Sequence, residues 1–345
     1  MWSTRGPRKA KAVKMDEPGC ALVADIGGTN ARFLCAPISR PLEITLAPLV
    51  LPCADYPSFD VLLNDAVARL EPRCEVREVG FAVAGPLADD EISMVNLPWV
   101  VRQSRCVAQF ATARCTLLND FEAIAHLAAT DVSDHLQGVG GGRAVFGCAR
   151  VVLGPGTGLG VAAVAYARDS AGYEVVAGEG GNVGFAPGDA FEGELAEALR
   201  ARGGRVFVEQ VLSGSGLRML YGWMHARTVD DEPRQPSAES IIARARDGEA
   251  HALAAVDRFL GCLGSHAGDL ALTFGARGGV LLTGGVMEGL LWRIEDSPFR
   301  ERFESKGRHR AYVSQIPTSW LLLSYPGLRG AFARVTARNG EFASP

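Results

Sequence analysis

Two stretches about 130 residues apart share one layout: a short apolar run, a turn rich in glycine and threonine, and a second apolar run. The first reads Ala21-Leu-Val-Ala-Asp25-Ile-Gly27-Gly28-Thr29-Asn30-Ala31-Arg32. The second reads Val151-Val-Leu-Gly154-Pro-Gly156-Thr157-Gly158-Leu-Gly160-Val-Ala-Ala-Val-Ala165. β-Branched and small apolar residues pack well on a pleated surface, so each run is expected to be a strand. The glycines permit φ > 0 and close backbone approach, so that successive N–H groups can point at one anion. The recurrence predicts two similar α/β halves facing each other. The competing reading is chance repetition in a chain with 41 glycines. A third glycine turn, Thr283-Gly284-Gly285, closes an apolar run over 279–283.

Between these marks the pattern alternates. Strands are expected at 21–25, 31–36, 43–50, 79–84, 91–95, 115–118 and 319–323. Helical spacing over 57–71 places Phe59, Leu62, Leu63, Ala66 and Leu70 on one side. A helix is expected to begin after Asp120, with Ile124, Ala125 and Leu127 apolar. Further helices are expected at 189–202, 206–212, 216–227, 237–246, 248–274 and 328–338. Strands alternating with helices imply mixed sheets covered by helices. Ligands in such folds bind at the carboxyl ends of strands, where all three glycine turns and Asn119-Asp120 fall.

Length and composition narrow the function classes. A chain of 345 residues, 48% apolar and 21% charged, suits about two soluble globular domains. A net charge of −4 gives no global pull toward nucleic acid or membrane. Arg5, Arg8, Lys9, Lys11 and Lys14 precede the first acidic residue, Asp16. This stretch lacks an apolar face, so residues 1–19 read as a disordered basic extension more than as a nucleic-acid arm. No apolar segment of the secretory type follows it. The uncharged run between Arg150 and Arg168 contains Pro155 and several glycines and reads as strand–turn–strand, not as a membrane span. Eight scattered cysteines without a C-x-x-C pair favour a reducing cytoplasm and argue against a disulfide framework or a zinc cage.

Several residues carry chemistry by type and position. Asp25, at the end of an apolar run, can hold Mg2+ directly or through water. Gly27, Gly28, Thr29 and Arg32 beside it suit nucleotide phosphates; the plain alternative is a tight hairpin turn. Asp120 follows a strand-like run, where a carboxylate can orient an acceptor hydroxyl and take its proton late in phosphoryl transfer. Asn-Asp before an apolar helix is equally a capping pattern, and both roles can hold. Asn96 and Asn119 can each donate and accept, as a sugar hydroxyl requires, or can serve as turn residues. On helix periodicity Glu209 is an ordinary surface residue.

In order and approximate spacing, these segments resemble the bacterial glucokinase family, within the hexokinase–actin–sugar kinase superfamily. The likeness runs through Asp25-Ile-Gly-Gly-Thr-Asn-Ala-Arg32, Ala84-Gly-Pro86, Asn96-Leu-Pro-Trp99, Leu118-Asn-Asp-Phe121, Leu153-Gly-Pro-Gly-Thr-Gly-Leu-Gly160, Gly178-Glu-Gly-Gly-Asn-Val-Gly-Phe-Ala-Pro187, Glu209-Gln-Val-Leu-Ser-Gly214 and Thr283-Gly-Gly-Val286. It continues through Phe299-Arg-Glu-Arg-Phe-Glu-Ser-Lys-Gly307, Ile316-Pro317 and Pro326-Gly-Leu328, covering about residues 21–331.

The resemblance implies an α/β, ribonuclease H-like and actin-like ATPase fold with mixed sheets and an interdomain cleft. The small domain would comprise 20–119 plus 326–345, and the large domain 120–325. It implies ATP-dependent phosphorylation of glucose at O6 in the cytoplasm, with ATP and Mg2+ as cofactors, and a homodimer. Asp120 would be the general base. Asn96, Asn119, Glu179, Asn182 and Glu209 would bind the hexose. Asp25 would hold Mg2+, most simply through water. Gly27, Gly28, Thr29, Asn30 and Arg32 would form one phosphate loop, Gly156, Thr157 and Gly158 a second, and Thr283, Gly284 and Gly285 the adenosine turn. Three positions depart from the family pattern. Asn182 stands where His is usual and Gly184 where Asp is usual, and Phe332 occupies a position that is normally small. A kinase for another hexose or an amino sugar, or a non-catalytic sugar sensor, therefore stands beside glucose phosphorylation. The zinc-bearing repressor–kinase group fits poorly, because no cysteine lies between Cys148 and Cys262.

Overall fold

The computed structural model describes residues 19–39, 47–72, 74–94, 96–110, 113–167, 172–226 and 236–337. The basic stretch up to residue 18, the run 40–46 and residues 338–345 lie outside them. The first half contains β1 (Cys20–Ile26), β2 (Asn30–Pro37), β3 (Leu49–Pro52), α1 (Phe59–Leu70), β4 (Val76–Val83), β5 (Leu87–Ala88), β6 (Glu91–Ser93), β7 (Val100–Arg102), α2 (Gln103–Gln109) and β8 (Arg114–Asn119). There follow α3 (Asp120–Ala128), β9 (Leu136–Gly140), β10 (Arg150–Pro155), β11 (Leu159–Ala167), β12 (Gly172–Gly178), α4 (Ala190–Gly203), α5 (Gly214–Ala226), α6 (Ala238–Arg246) and α7 (Ala250–Phe274). The chain closes with β13 (Val280–Leu282), α8 (Gly285–Ile294), α9 (Phe299–Glu304), α10 (Arg310–Val313), β14 (Thr318–Leu321) and α11 (Pro326–Thr336).

The repeated sequence layout becomes a repeated topology. One sheet runs β3-β2-β1-β4-β8 and the other β12-β11-β10-β13-β14-β9. In each, an antiparallel hairpin leads into parallel neighbours: β1 pairs antiparallel with β2 and parallel with β4, and β10 pairs antiparallel with β11 and parallel with β13. The central strands are apolar along their length because both faces are covered. Ala21, Leu22, Val23, Ala24 and Ile26 of β1 are all buried. Helix α1 forms where its spacing predicts. Ser58 caps it by accepting from the Val61 N–H at 3.4 Å, and Phe59, Leu62, Leu63 and Ala66 are buried.

Two helices lie between the sheets. Helix α11 covers β1 and β4, where Leu328, Ala331, Phe332 and Val335 join Ala21, Val23, Ala82 and Leu118 in one buried cluster. Helix α3 covers the other sheet, where Ile124, Ala125 and Ala128 pack with Val152, Ala162 and Val164. The two helices cross so closely that a Cβ at Gly330 would run into the Ala123 carbonyl. Phe332 is accommodated within this packing. The ring of Phe121 fills a notch on the second sheet: a Cβ at Gly154 would lie 2.7 Å from its Cζ, and one at Gly160 would overlap the ring.

Some expectations need correction. The helix expected at 206–212 is only a single 3-10 turn, Val208–Gln210. Phe207 stays extended there because it bridges Gly184, and the Val208 N–H donates to the Val183 carbonyl at 3.0 Å. Strands β9 and β12 and helix α8 were not expected, and the strand expected at 43–50 begins at Leu49 within the described residues. Cys20 and Cys74 are disulfide-bonded, against the expectation from scattered cysteines. Parallel pairing sets Cys20 opposite Val76, and the Cys20 N–H donates to the Glu75 carbonyl, so residues 54 apart in sequence meet. Among the described residues, no helix is long and apolar enough to cross a membrane.

The Phe121 notch makes a testable contrast. Gly160→Ala is expected to destabilise the fold by about 1–3 kcal/mol through overpacking. Gly193→Ala on α4, where an added Cβ meets nothing within 4 Å, is expected to be neutral or to stabilise by up to about 1 kcal/mol. Equilibrium urea unfolding of the two variants checks both outcomes.

Candidate active site

The carboxyl ends of the central strands converge. Asp25 lies near the end of β1 and Asp120 directly after β8, with β4 between these parallel strands. Two strand spacings put their backbones about 10 Å apart. Burial raises the proton affinity of Asp25, and the Arg32 guanidinium at 3.7 Å partly offsets this. Arg32 is its antiparallel partner across the hairpin. A Cβ at Gly327 would stand 2.9 Å from the Asp25 carboxyl carbon, so glycine lets the first turn of α11 close against that group.

The Asp120 pKa is raised from the usual 3.8 to about 7. Burial is the main cause. The charges of Asp25 and then Glu179 add to it, and the Phe121 N–H, donated to the Asp120 carboxylate at 2.9 Å, opposes it. Three acids from separate parts of the chain therefore act on one region.

Capping and acid–base chemistry fall to adjacent residues. Asn119 is the N-cap of α3: its Oδ1 accepts from the N–H groups of Phe121 at 2.9 Å and Glu122 at 3.2 Å. The Glu122 carboxylate returns to the Asn119 N–H at 3.2 Å, completing a capping box. Asn119 Nδ2 donates to the Gly85 carbonyl at 2.9 Å. Its Oδ1 is thus spent, and one Nδ2 hydrogen is left for a ligand. Asp120, one residue on, is not the cap.

The first glycine turn is tied from both sides. The Gly27 N–H donates to the Asn30 carbonyl at 3.0 Å, the Cys53 N–H to the Thr29 carbonyl at 2.9 Å, and the Cys53 thiol to the Gly27 carbonyl at 3.4 Å. Gly28 faces Asn96, and a Cβ there would come within 2.9 Å of the Asn96 Cβ. In the second turn the Gly156 N–H donates to the Gly158 carbonyl at 2.8 Å. None of Gly27, Gly28, Gly156 and Gly158 uses the positive φ that glycine permits. Close approach is what requires glycine at 28 and 158.

Glu209 supplies the approach at Gly158. Its carboxylate accepts from the Leu159 N–H at 2.8 Å and would lie 2.5 Å from a Cβ at 158. It is therefore no ordinary surface residue, but a tie from the 208–210 turn to the second glycine loop. At the third turn Gly284 has φ 100°, and a Cβ there would meet the Pro155 carbonyl at 2.5 Å. Open space lies instead at Gly285, the first residue of α8, while Thr283 is buried.

Glu179 closes β12 and bridges Val161. The turn Gly180–Asn182 follows, with the Asn182 N–H donating to the Glu179 carbonyl at 3.0 Å. Glu179, Asn182, Asn96 and Thr157 are exposed. A cavity of about 350 Å³, lined by Arg143, Arg277, Tyr312 and Gln315 among others, contains none of these groups. It lies toward the opposite ends of β10, β13 and β14. Among the described residues no set of three or more His, Cys, Asp or Glu side chains could hold a metal ion. Asp25 alone suits Mg2+, which commonly takes one or two carboxylates and fills its shell with water and substrate phosphates. Sequence reasoning missed Gly327 and Cys53 as supports of this site. No local motif marks either, since both reach it through the fold.

Two sheets of repeated topology, with acidic groups and glycine turns at their carboxyl ends, define an actin-like ATPase fold of the kind found in sugar kinases. The comparisons with known proteins narrow the class. The family model described as Glucokinase matches residues 22–338. A glucokinase from Chromohalobacter salexigens is 38% identical over 320 residues, covering 90% of this chain and 96% of that protein. One from Hahella chejuensis is 40% identical, covering 92% and 97%. The solved structure of a glucokinase from an Antarctic psychrotroph has a TM-score of 0.77 at 30% identity, covering 92% of this chain and 98% of that one. A ROK family glucokinase from Streptomyces griseus, solved with glucose and AMPPNP, shares the fold at a TM-score of 0.65 and 19% identity, covering 92% and 99%. The chain belongs to the glucokinase family.

The raised pKa of Asp120 links stability to pH. The unfolded chain releases this proton near 3.8 and the folded chain at about 7. Between those values the folded form binds the extra proton, so stability falls as pH rises through the window. Asp120→Asn removes that loss. The variant is expected to be more stable than the parent at pH 8 and to converge with it toward pH 4, as urea unfolding at the two pH values will reveal.

Proposed function

We propose that the chain catalyses transfer of the terminal phosphoryl group of ATP to O6 of glucose, giving glucose 6-phosphate and ADP. The observation that carries this reading is the placement of Asp120. Its carboxylate stands at the end of β8, with its proton affinity raised by burial and by Asp25 and Glu179, on the helix whose Phe121 seats against the strands of the second glycine turn.

Phosphoryl transfer needs an acceptor hydroxyl held in line and a group to take its proton as the bond to phosphorus forms. In this reading Asp120 receives the O6 proton. Glu179, Asn182, Asn96 and the free Nδ2 hydrogen of Asn119 orient the sugar, and Glu209 couples it to the second loop through the Leu159 N–H. The turns at 27–30 and 156–158 with Arg32 bind the phosphates, and the turn at 283–285 takes the nucleoside. Asp25 would hold Mg2+, which when bound neutralises charge on the phosphates. The segment 20–119 with the C-terminal helix forms one domain and 120–325 the other. Their closure excludes water that would compete for the phosphoryl group. The reaction is assigned to the cytoplasm, and assembly as a homodimer rests on family likeness alone.

One departure keeps a second substrate open. Asn182 can still hydrogen-bond a hydroxyl, but its reach differs from that of the usual imidazole, and sites built to pair a hydroxyl discriminate strongly. Another hexose or an amino sugar is therefore the alternative. A sensor without turnover is disfavoured by the intact Asp25, Asp120 and both glycine loops.

ADP release should be measured with ATP, Mg2+ and each of glucose, mannose, fructose, glucosamine and N-acetylglucosamine, glucose being the expected best substrate. Asp120→Asn should lower kcat by about 10²–10⁴-fold while glucose binding, followed by calorimetry, persists. For the parent enzyme kcat/KM should climb as pH passes through about 7 and then level off, because the base must be ionised. Unaltered turnover in the variant would remove Asp120 from its role. Asn182→His should improve kcat/KM for glucose over the other hexoses by about tenfold, the worth of one good hydrogen bond.

A further inference from the structure

The amino ends of β10, β13 and β14 carry a cavity of their own. Its volume is about 350 Å³, and no residue proposed for the hexose or the nucleotide lines it. Three segments build it, one leading into each strand. Arg143 and Val145 come before β10, Arg277 before β13, and Tyr312, Gln315 and Ile316 before β14. The segments are tied to one another. The Val145 N–H donates to the Arg277 carbonyl at 2.9 Å, and the Val280 N–H to the Pro317 carbonyl at 2.9 Å. Gly142 packs so near the third segment that a Cβ there would lie 2.5 Å from the Gln315 carbonyl. Backbone contacts therefore shape the hollow, and it needs no ligand to form.

The charge within it has one sign. Among the described residues that line it, Arg143 and Arg277 are the charged ones, and both are exposed. Neither side chain forms an ion pair or a hydrogen bond with another described residue. The neighbouring guanidinium of Arg300, behind Gly141, is engaged already: by Glu304 at 2.7 Å and by the carbonyls of Ser314 at 2.9 Å and Ile316 at 3.0 Å. The whole chain carries −4, so the excess is local. A solvated loop end explains one exposed arginine. It does not explain two, on separate segments, lining one preformed hollow.

Two guanidiniums around one cavity repel each other, and a bound dianion turns that cost into attraction. Arginine suits phosphate in particular, because its planar fork offers two parallel N–H donors to two oxygens. Tyr312 and Gln315 add a hydroxyl and an amide, which can donate or accept. Val145 and the buried Ile316 supply apolar wall. The volume is at the low end for small-molecule sites, which limits the guest to a compact metabolite. We propose that this cavity binds a small organic phosphate monoester, its phosphate held by Arg143 and Arg277 and its carbon skeleton set against Val145 and Ile316. The site is separate from the proposed active site: β10 and β13 run between them, with the Gly156–Gly158 and Thr283–Gly285 turns at their far ends. It does not rest on the sugar-kinase reading.

Glycerol 2-phosphate is the probe, titrated by calorimetry into the full chain, with inorganic phosphate and citrate as comparisons. The ester should bind with a Kd of about 1 mM or below, more tightly than either comparison anion, and more weakly as NaCl is raised. Arg143→Gln and Arg277→Gln should each weaken binding at least about tenfold, the worth of a hydrogen bond to a charged group. Both positions are exposed, and an unchanged urea midpoint shows that the variants fold. Arg32→Gln, in the proposed phosphate loop at the other end of the molecule, should leave the affinity within about twofold, as distant sites act independently. No heat at up to about 10 mM ester, or binding that Arg32→Gln removes and the two cavity variants keep, overturns the proposal. Inorganic phosphate binding as tightly as the ester shows that the carbon skeleton has no seat, and tighter binding of citrate shows a carboxylate site. Either result overturns the assignment to a phosphate monoester.

Discussion

The seat of Phe121 against Gly154 and Gly160 sets the relation between the two halves. Asp120 is the first residue of α3 and Phe121 the second, so whatever fixes the ring fixes the carboxylate beside it. The two glycines belong to β10 and β11, the strands that bracket the Gly156–Gly158 turn. One apolar contact thereby sets the distance between the proposed proton acceptor and the proposed phosphate loop. The ring is partly buried, so its contact contributes less than the about 1.5–3 kcal/mol of a fully buried phenylalanine. Two missing side chains make that contact possible, one on each of the paired strands β10 and β11.

Electrostatics in the same region work against folding. The charges of Asp25 and Glu179 add to the burial that raises the proton affinity of Asp120, and Arg32 is the cation that meets Asp25 within 4.0 Å. Helix N-termini soften the repulsion: α3 begins at Asp120 and α11 lies against Asp25, so each carboxylate faces the positive end of a helix. Carboxylates gathered without matching cations are costly unless a ligand supplies the missing charge, which a nucleotide's metal would do in the proposed reaction.

Much of this was legible in the residues. Asp25 and Asp120 could be placed at strand ends because apolar runs precede them, and the repeated hairpin predicted the repeated sheet. Helices α1, α4, α6 and α7 followed from apolar spacing. Other features could not be read locally. Strand β12, Gly-Tyr-Glu-Val-Val-Ala-Gly, mixes glycine and a charge and has no clear period. The 206–212 segment carries helical spacing, but tertiary pairing of Phe207 with Gly184 overrides it. Glu209 is defined by an N–H fifty residues earlier in the chain, and Cys20 by a partner fifty-four residues away. Each depends on long-range placement, which periodicity does not encode.

The position of α11 has a consequence for the order in which the molecule can mature. The first strand carries Asp25, yet the face behind that strand and the wall beside its carboxylate come from residues more than three hundred positions later. During synthesis the earliest-made sheet must wait, with an apolar flank uncovered, until the ribosome has released nearly everything else. A chain stopped between β14 and α11 would hold every proposed catalytic side chain and still lack the scaffold that aims them.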